Sequence, residues 1–228
     1  MARAGDASRR DARIGHDPPA RMGLYERVVF NAAMELVLGR ASIRAERTAA
    51  LAPARGAILE VGIGTGLNVP CYPEHVREVT ALQLDSRRDP RLEHRTMARG
   101  LRVDVVTGDA QRMPLPDASF DTIVCTFLLC SIRDPAAALS EFNRVLRPDG
   151  SLLFLEHVGS AARATRTLQR ILDPLHVLAA CGCSLRRDTA AAIGANGFAI
   201  AELVDRDVGG VPWPYRRIIR GVATPTRW

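Results

Sequence analysis

Three glycines separated by single residues, Gly62, Gly64 and Gly66, directly follow the apolar run at positions 58–61. A buried strand that enters such a turn leads into the amino end of a helix, where free N–H groups attract a polar ligand. Glycine has no Cβ atom, so the backbone can approach that ligand closely. The pattern predicts a nucleoside-binding turn, although a glycine turn with a purely structural role would have the same residues.

Glu60 and the spacing of the glycines indicate which nucleoside fits. Dinucleotide-binding turns have the pattern G-x-G-x-x-G, whereas this turn has G-x-G-x-G followed by leucine at position 67. Glu60 lies two residues before the first glycine, and its carboxylate is expected to point toward the ligand. Since a carboxylate repels a pyrophosphate and attracts a cation, the sequence favours a positively charged nucleoside without phosphate groups.

His157 is the best candidate for a general base. It ends a predicted strand, at the carboxyl edge where α/β folds place their ligands. The alternative is a histidine that hydrogen bonds to a neighbouring loop. A second histidine, His176, precedes Cys181 and Cys183 and raises the question of zinc. The C-x-C spacing differs from the paired spacing of zinc sites, so no metal is predicted.

Strand and helix patterns alternate along most of the chain. The strands are predicted at 57–61, 76–84, 101–106, 120–127, 151–157, 198–204 and 215–222. The helices are predicted at 24–52 with a break near Gly39, at 68–72, 88–99 and 135–146, at 162–180 with a bend or break at Pro174, and at 189–196. This alternation is typical of an α/β protein with a doubly wound, mostly parallel sheet.

Composition limits the remaining classes of function. One domain is predicted over residues 21–228, preceded by a disordered arm at 1–20. The net charge is +6, but the arginines are scattered and aromatic residues make up only 5%, which argues against nucleic acid binding. No apolar run approaches the roughly 20 residues of a membrane span, so no stable insertion is predicted. Five cysteines without a visible export signal predict reduced thiols and a cytoplasmic location.

Four segments in this order resemble the class I S-adenosylmethionine (SAM)-dependent methyltransferases. They are LEVGIGTG at 59–66, GDA at 108–110, LPDASFD at 115–121 and RVLRPDG at 144–150. Further segments resemble a bacterial branch similar to the methyltransferase-like thiol S-methyltransferases, at 23–27, 154–157, 172–174 and 182–188. More distantly, the chain is similar to phospholipid N-methyltransferases and quinone-pathway C-methyltransferases.

The resemblance implies a Rossmann-like sheet of seven strands, the last of them antiparallel, with N-terminal helices and a helical cap at 160–187. Leu175, Val177 and Leu178 are expected to line the cap or to belong to ordinary core. The implied cofactor is SAM, and the implied partner is a small-molecule acceptor, with a lipophilic thiol as the first choice. The alternatives are N-, O- or C-methylation of a lipid, quinone or secondary metabolite, and a SAM-binding protein without catalysis.

The resemblance also implies roles for individual residues. The three glycines would pass beneath the methionine part of SAM, with Glu60 nearby. Asp109 would accept a hydrogen bond from the adenine amino group, and the Ala110 N–H would contact a ring nitrogen; the alternative for Asp109 is a turn residue. Thr126 and Phe127 would border the sulfonium and the acceptor.

One implied position departs from the family pattern. An acidic residue normally ends the second strand and binds both ribose hydroxyls, but this chain has Gln83 there and Asp85 two positions later. An amide can still hydrogen bond to a hydroxyl, without the charge that strengthens the bond. Asp85 would substitute if the strand extended that far, since side chains two apart on a strand share a face. Tyr25 would close over the cofactor or pack against the domain.

Overall fold

A computed structural model describes residues 31–180 and 182–226 of this chain. The predicted arm at 1–20, the start of the first predicted helix, Tyr25 and Cys181 lie outside these residues. Within them, no helix has both the length and the apolar character needed to cross a bilayer.

Seven strands form a single sheet, as predicted. They are β1 (Ile58–Val61), β2 (Glu78–Gln83), β3 (Arg102–Thr107), β4 (Phe120–Thr126), β5 (Leu146–His157), β6 (Phe198–Asp207) and β7 (Arg217–Pro225). Their order across the sheet is β3-β2-β1-β4-β5-β7-β6. The first five strands run parallel, and β7 is antiparallel to both of its neighbours. The crevice where ligands bind in such folds therefore lies at the carboxyl ends of β1 and β4.

Within the described ranges, six α-helices accompany the sheet: α1 (Asn31–Leu38), α2 (Ala41–Leu51), α3 (Pro90–Arg99), α4 (Pro135–Val145), α5 (Arg163–Ala179) and α6 (Thr189–Ala195). Aspartates cap three of them, and each accepts a hydrogen bond from a backbone N–H in the first turn; they are Asp89, Asp134 and Asp188. Asp134 and the proline after it form the predicted N-terminus of α4. The helix α5 continues through Pro174 without interruption.

Several boundaries differ from the prediction. The predicted helix at 68–72 is a single 3-10 turn, Val69–Cys71. Strand β5 begins at Leu146, five residues early, because residue 146 already pairs with Phe120 before a shift in register. Strands β6 and β7 extend three residues further than predicted, since their antiparallel pairing continues to Asp207 and Pro225.

A buried carboxylate fixes α2 against the far end of the sheet. Glu46 is only 2% exposed, although it is charged. It accepts a hydrogen bond of 2.9 Å from the Arg220 side chain on β7 and forms an ion pair with Arg206 on β6. The next residue along α2 is Arg47, which this anchor places over the carboxyl ends of β1 and β4.

Candidate active site

The glycine turn after β1 has a backbone that favours glycine. Gly62, Gly64 and Gly66 all have left-handed φ angles, of +79°, +53° and +81°. A Cβ atom at Gly66 would lie 2.7 Å from the Leu92 side chain, so this position is closed by packing. At Gly64 the nearest atom to such a Cβ is 4.0 Å away. The turn therefore packs on one side and presents Gly64 to open space.

A group of polar side chains lies at the carboxyl ends of β1 and β4, all buried except the half-buried Thr126, and we call it the Arg47 cluster. Its members are Arg47, Glu60, Asn68, Tyr72 and Thr126. Arg47 donates to the Asn68 Oδ1 atom at 2.6 Å and to the Thr126 Oγ1 atom at 3.0 Å. Glu60 accepts from Asn68 Nδ2 at 2.9 Å and from the Tyr72 hydroxyl at 2.7 Å. The Glu60 carboxylate is thus held within the cluster rather than pointing freely toward a ligand.

The charges of the Arg47 cluster are strongly coupled. Burial lowers the pKa of Arg47 to about 10, so the guanidinium remains positive at neutral pH. Burial raises the pKa of Glu60, while the bonds from Tyr72 and Asn68 and the charge of Arg47 oppose that shift. The guanidinium also lies 5.0 Å from the centre of the Phe127 ring, within the range of a cation–π contact.

One donor of the Arg47 cluster lacks a partner. The Nε atom of Arg47 is buried and has no hydrogen-bond partner among the described residues. A buried donor that is left unpaired costs about 1–3 kcal/mol. A ligand with an anionic oxygen would remove that cost, so the cluster is suited to a carboxylate.

Gln83 and Asp85 hold the loop after β2 in the described structure. The Gln83 Nε2 atom donates to the backbone oxygen of Arg87 at 2.9 Å and also to that of Asp85. Asp85 accepts from the Arg87 N–H at 3.0 Å. Because β2 ends at Gln83, the extension that would place Asp85 on the same strand face does not occur.

Asp109 lies in the turn after β3, beside Ala110. Its carboxylate accepts from the Gln111 N–H at 2.8 Å and from the Gln111 side-chain amide at 3.0 Å. The first of these bonds is the turn geometry that the alternative interpretation predicted. In the second bond the donor is a side-chain NH₂ group, and an adenine amino group is a donor of the same kind.

His157 ends β5 and is 4% exposed. Its Nε2 atom lies 3.7 Å from the Sγ atom of Cys183, and its ring meets that of Tyr215 edge-on at 5.9 Å. His176 also contacts Tyr215, through a hydrogen bond to the hydroxyl, and its Nδ1 atom lies 2.7 Å from the Cys183 carbonyl. The two histidines therefore flank one tyrosine, and Cys183 lies between the candidate base and the cap helix α5.

Sequence analysis did not identify the residue that organises the loop after β4. Glu156 is fully buried, and its carboxylate accepts from the N–H groups of Leu128, Leu129 and Cys130 at 2.9, 2.9 and 3.3 Å. An acidic residue inside an apolar strand was the available signal, because buried carboxylates require such partners. Asn68 offered a similar signal, as a polar residue two positions after the glycine turn. Nothing in the local sequence distinguished Arg47 from the other arginine of α2.

Comparison with known proteins agrees with this geometry. A family profile described as a methyltransferase domain matches residues 59–154. The human thiol S-methyltransferase TMT1B is 37% identical over 139 residues, which are 58% of this chain and 56% of that protein. A phosphatidylethanolamine N-methyltransferase of Cereibacter sphaeroides is 34% identical over 136 residues, which are 57% of this chain and 66% of that protein.

The fold also agrees with solved structures. The 1,6-didemethyltoxoflavin-N1-methyltransferase of Burkholderia thailandensis, solved with S-adenosylhomocysteine, superposes with a TM-score of 0.62 at 16% identity. That superposition covers 87% of this chain and 84% of the other. The predicted fold and the predicted resemblance are thereby confirmed. The chain spans a little over half the length of the thiol S-methyltransferases it matches.

Proposed function

We propose that this protein transfers a methyl group from SAM to a small-molecule acceptor. The match of residues 59–154 to the methyltransferase-domain family supports this proposal. The observation that carries the proposal is the position of the Arg47 cluster. It places a buried cation with an unpaired donor beside a glycine turn that is open at Gly64. The proposal includes a single catalytic domain that begins near residue 21.

The site residues fit the polar ends of SAM. The amino-acid end carries a carboxylate, for which the unpaired Nε atom of Arg47 is a suitable donor. The adenine amino group would replace the Gln111 side chain on Asp109, with the N–H of Ala110 beside it. Gln83 would bind the ribose hydroxyls after releasing the backbone oxygen of Arg87. Tyr25 is proposed as a closing residue of the same site.

The chain's own task in the reaction is to position the acceptor and exclude water. When bound, SAM supplies a methyl group on a sulfonium, so the intrinsic reactivity comes from the cofactor. Thr126, the last residue of β4, and Phe127 after it lie beside the place proposed for that sulfonium. Glu156 fixes the following three residues through their N–H groups, which keeps this wall rigid. Such positioning can supply a large part of the rate enhancement.

A thiol is the first choice of acceptor. A free thiol has a pKa near 8.5, and a neighbouring sulfonium favours the thiolate, so a strong general base is not required. This suits the surroundings of His157, which contacts Cys183 and Tyr215 and is nearly inaccessible. A role for His157 as a base stays a prediction. The human relative that acts on thiols supports the same choice.

A lipid acceptor is the second candidate, and α5 favours it. Leu175 and Leu178 are 70% and 82% exposed, so they do not belong to the ordinary core. Ile171 on the same helix is 67% exposed. These side chains form an apolar stripe that would attract a lipophilic molecule or a lipid surface. The phosphatidylethanolamine N-methyltransferase among the relatives is in line with this alternative. The free thiols of the described residues favour a cytoplasmic location for either reaction.

An acceptor panel tests the proposal. Purified protein would be incubated with SAM and, separately, with an aliphatic thiol, phosphatidylethanolamine vesicles and a catechol, and S-adenosylhomocysteine would be quantified by mass spectrometry. We expect turnover with the thiol above the rate without acceptor. Turnover with phosphatidylethanolamine alone would select the second candidate. Binding of SAM without turnover of any acceptor would contradict the catalytic proposal.

A further inference from the structure

Three side chains with soft or borderline ligand atoms meet at the carboxyl end of β5. They are Cys130, His157 and Cys183, and we call them the Cys130–His157–Cys183 cluster. One sulfur or nitrogen atom from each lies within 4.8 Å of the others. The two sulfur atoms are 3.6 Å apart, and the Cys183 Sγ atom is 3.7 Å from His157 Nε2.

These distances match the edges of a coordination tetrahedron. With Zn–S and Zn–N bonds of about 2.3 and 2.05 Å, a tetrahedral ion holds two sulfurs about 3.8 Å apart and a sulfur and nitrogen about 3.6 Å apart. Both observed separations lie within about 0.2 Å of those values. An ion could therefore enter with small movements of the side chains.

The backbone around Cys183 is fixed before any ion binds. Gly182 has a left-handed φ of +90°, and a Cβ there would lie 2.9 Å from the Ser131 carbonyl oxygen. The Ser184 N–H donates to the Cys130 carbonyl at 3.0 Å, and Arg187 donates to the Ile132 carbonyl at 2.6 Å. The segment that carries Cys183 is thus bonded on both sides to the segment that carries Cys130.

Burial and access also suit a metal site. Cys130 and His157 are buried, whereas Cys183 is half-buried and opens the cluster to one side. The described residues offer three ligands within this cluster. Three protein ligands with a fourth position left open are typical of catalytic zinc sites, whereas structural sites have four.

We propose that Cys130, His157 and Cys183 bind one thiophilic divalent ion, with Zn²⁺ as the preferred occupant and a fourth position open to an external ligand. On binding, the two thiols release their protons to solvent and the imidazole binds through a neutral nitrogen. The fourth position takes water or an added thiol. No metal was predicted from His176, Cys181 and Cys183 because the C-x-C spacing differs from that of zinc sites, whereas two of the ligands proposed here come from distant segments.

The test uses metal alone, in the absence of SAM and acceptor. Full-length protein, reduced and stripped with a chelator, would be titrated with Co²⁺, whose thiolate charge-transfer and tetrahedral d–d absorption report the ligand set. We expect one equivalent to bind, and Zn²⁺ to displace it. Addition of a small thiol should change the d–d bands by replacing the fourth ligand. Since SAM binding is measured separately, failure here is distinguishable from failure of the proposed methyl transfer.

Matched variants identify the ligands. Cys183→Ser, Cys130→Ser and His157→Ala should each weaken metal binding at least tenfold, whereas Cys71→Ala, which removes a buried thiol elsewhere, should keep wild-type affinity. Thermal unfolding by circular dichroism would establish that each variant folds, and the half-buried Cys183 is the substitution expected to be tolerated best. Absence of stoichiometric binding by folded, reduced wild type would overturn the proposal. So would unchanged binding in folded Cys183→Ser.

Discussion

The Oδ1 atom of Asn68 lies 2.6 Å from a guanidinium nitrogen of Arg47, across 21 positions of the chain. This bond joins α2 to the segment that follows the glycine turn. Because Asn68 also donates to Glu60 at the end of β1, the helix, the strand and the turn share one buried polar cluster. A change in Arg47 should therefore affect stability and cofactor binding together.

Replacement of Arg47 by methionine tests that coupling. The variant removes the donor to the Asn68 Oδ1 atom and one of the two donors to Thr126, and it leaves Glu60 without its neighbouring cation, so the free energy of unfolding should fall by about 3 kcal/mol. SAM binding should weaken by about 1.5–3 kcal/mol, the value of a bond to a charged group. Chemical denaturation and calorimetry measure the two effects. Arg44→Met, on an exposed side of the same helix, is the control and should change neither the free energy of unfolding nor the affinity for SAM. Wild-type affinity for SAM in Arg47→Met would exclude Arg47 from the cofactor site.

A pair of glycine substitutions separates ligand contact from backbone strain. Gly64 and Gly100 both have left-handed φ angles, of +53° and +64°, and neither would bring a new Cβ closer than 4.0 Å to a neighbour. Alanine should therefore cost about 1–2 kcal/mol of stability at either position. Only Gly64→Ala should reduce SAM affinity, because only Gly64 lies in the proposed site. Equal affinities in the two variants would show that SAM does not approach the turn.

Asp109 provides a test of adenine recognition. Asp109→Ala should weaken SAM binding by about 1–3 kcal/mol, or about 5- to 150-fold in Kd, because the adenine amino group would lose its acceptor. Asp104→Ala is the matched control on β3, where the carboxylate instead pairs with Arg102 at the surface. Calorimetric titration of each variant with SAM gives the comparison. If Asp109→Ala binds as tightly as the control, Asp109 is a turn residue only.

The ion pair between Glu141 and Arg144 predicts a dependence of stability on pH. The hydrogen bond from Arg144 holds the pKa of Glu141 below its ordinary value of 4.5. A carboxyl with a lowered pKa stabilises the folded state above its unfolded pKa, and this contribution is lost as the pH falls through the folded pKa.

Glu141→Gln removes that contribution. The difference in unfolding free energy between wild type and variant should therefore be largest near neutral pH and shrink below pH 4.5. Urea denaturation at a series of pH values measures it. A difference that stays constant down to pH 3 would mean that the carboxylate charge contributes nothing.

Most of the fold was predictable because its signals are local. The apolar runs of β1 and β4, the capping Asp134 before proline, and the glycine that ends α3 each act within a few residues. The start of β5 was missed because pairing of residue 146 with Phe120 comes from a neighbouring strand. Boundaries set by partners distant in sequence are not visible in a local pattern.

The site was predictable only in part, for the same reason. The glycine turn is a local feature and was identified from the sequence, and its left-handed φ angles are a finding of the structure. The members of the Arg47 cluster come from α2, β1, the segment after the turn and β4, so their convergence depends on the folded chain. The approach of Cys130 to Cys183 spans 53 positions and has no local signal. Leu175 was expected to line the cap or to belong to the core, but its side chain is exposed. Its exposure depends on which face of α5 packs against the domain.

Calorimetric titration of wild-type protein with SAM, and separately with NAD, decides whether the crevice at the carboxyl ends of β1 and β4 binds a positively charged nucleoside. We expect one SAM site per chain and no measurable binding of NAD, because the G-x-G-x-G spacing differs from the G-x-G-x-x-G turn that accommodates a pyrophosphate. Absence of SAM binding to the folded protein, or tighter binding of NAD, would contradict this expectation.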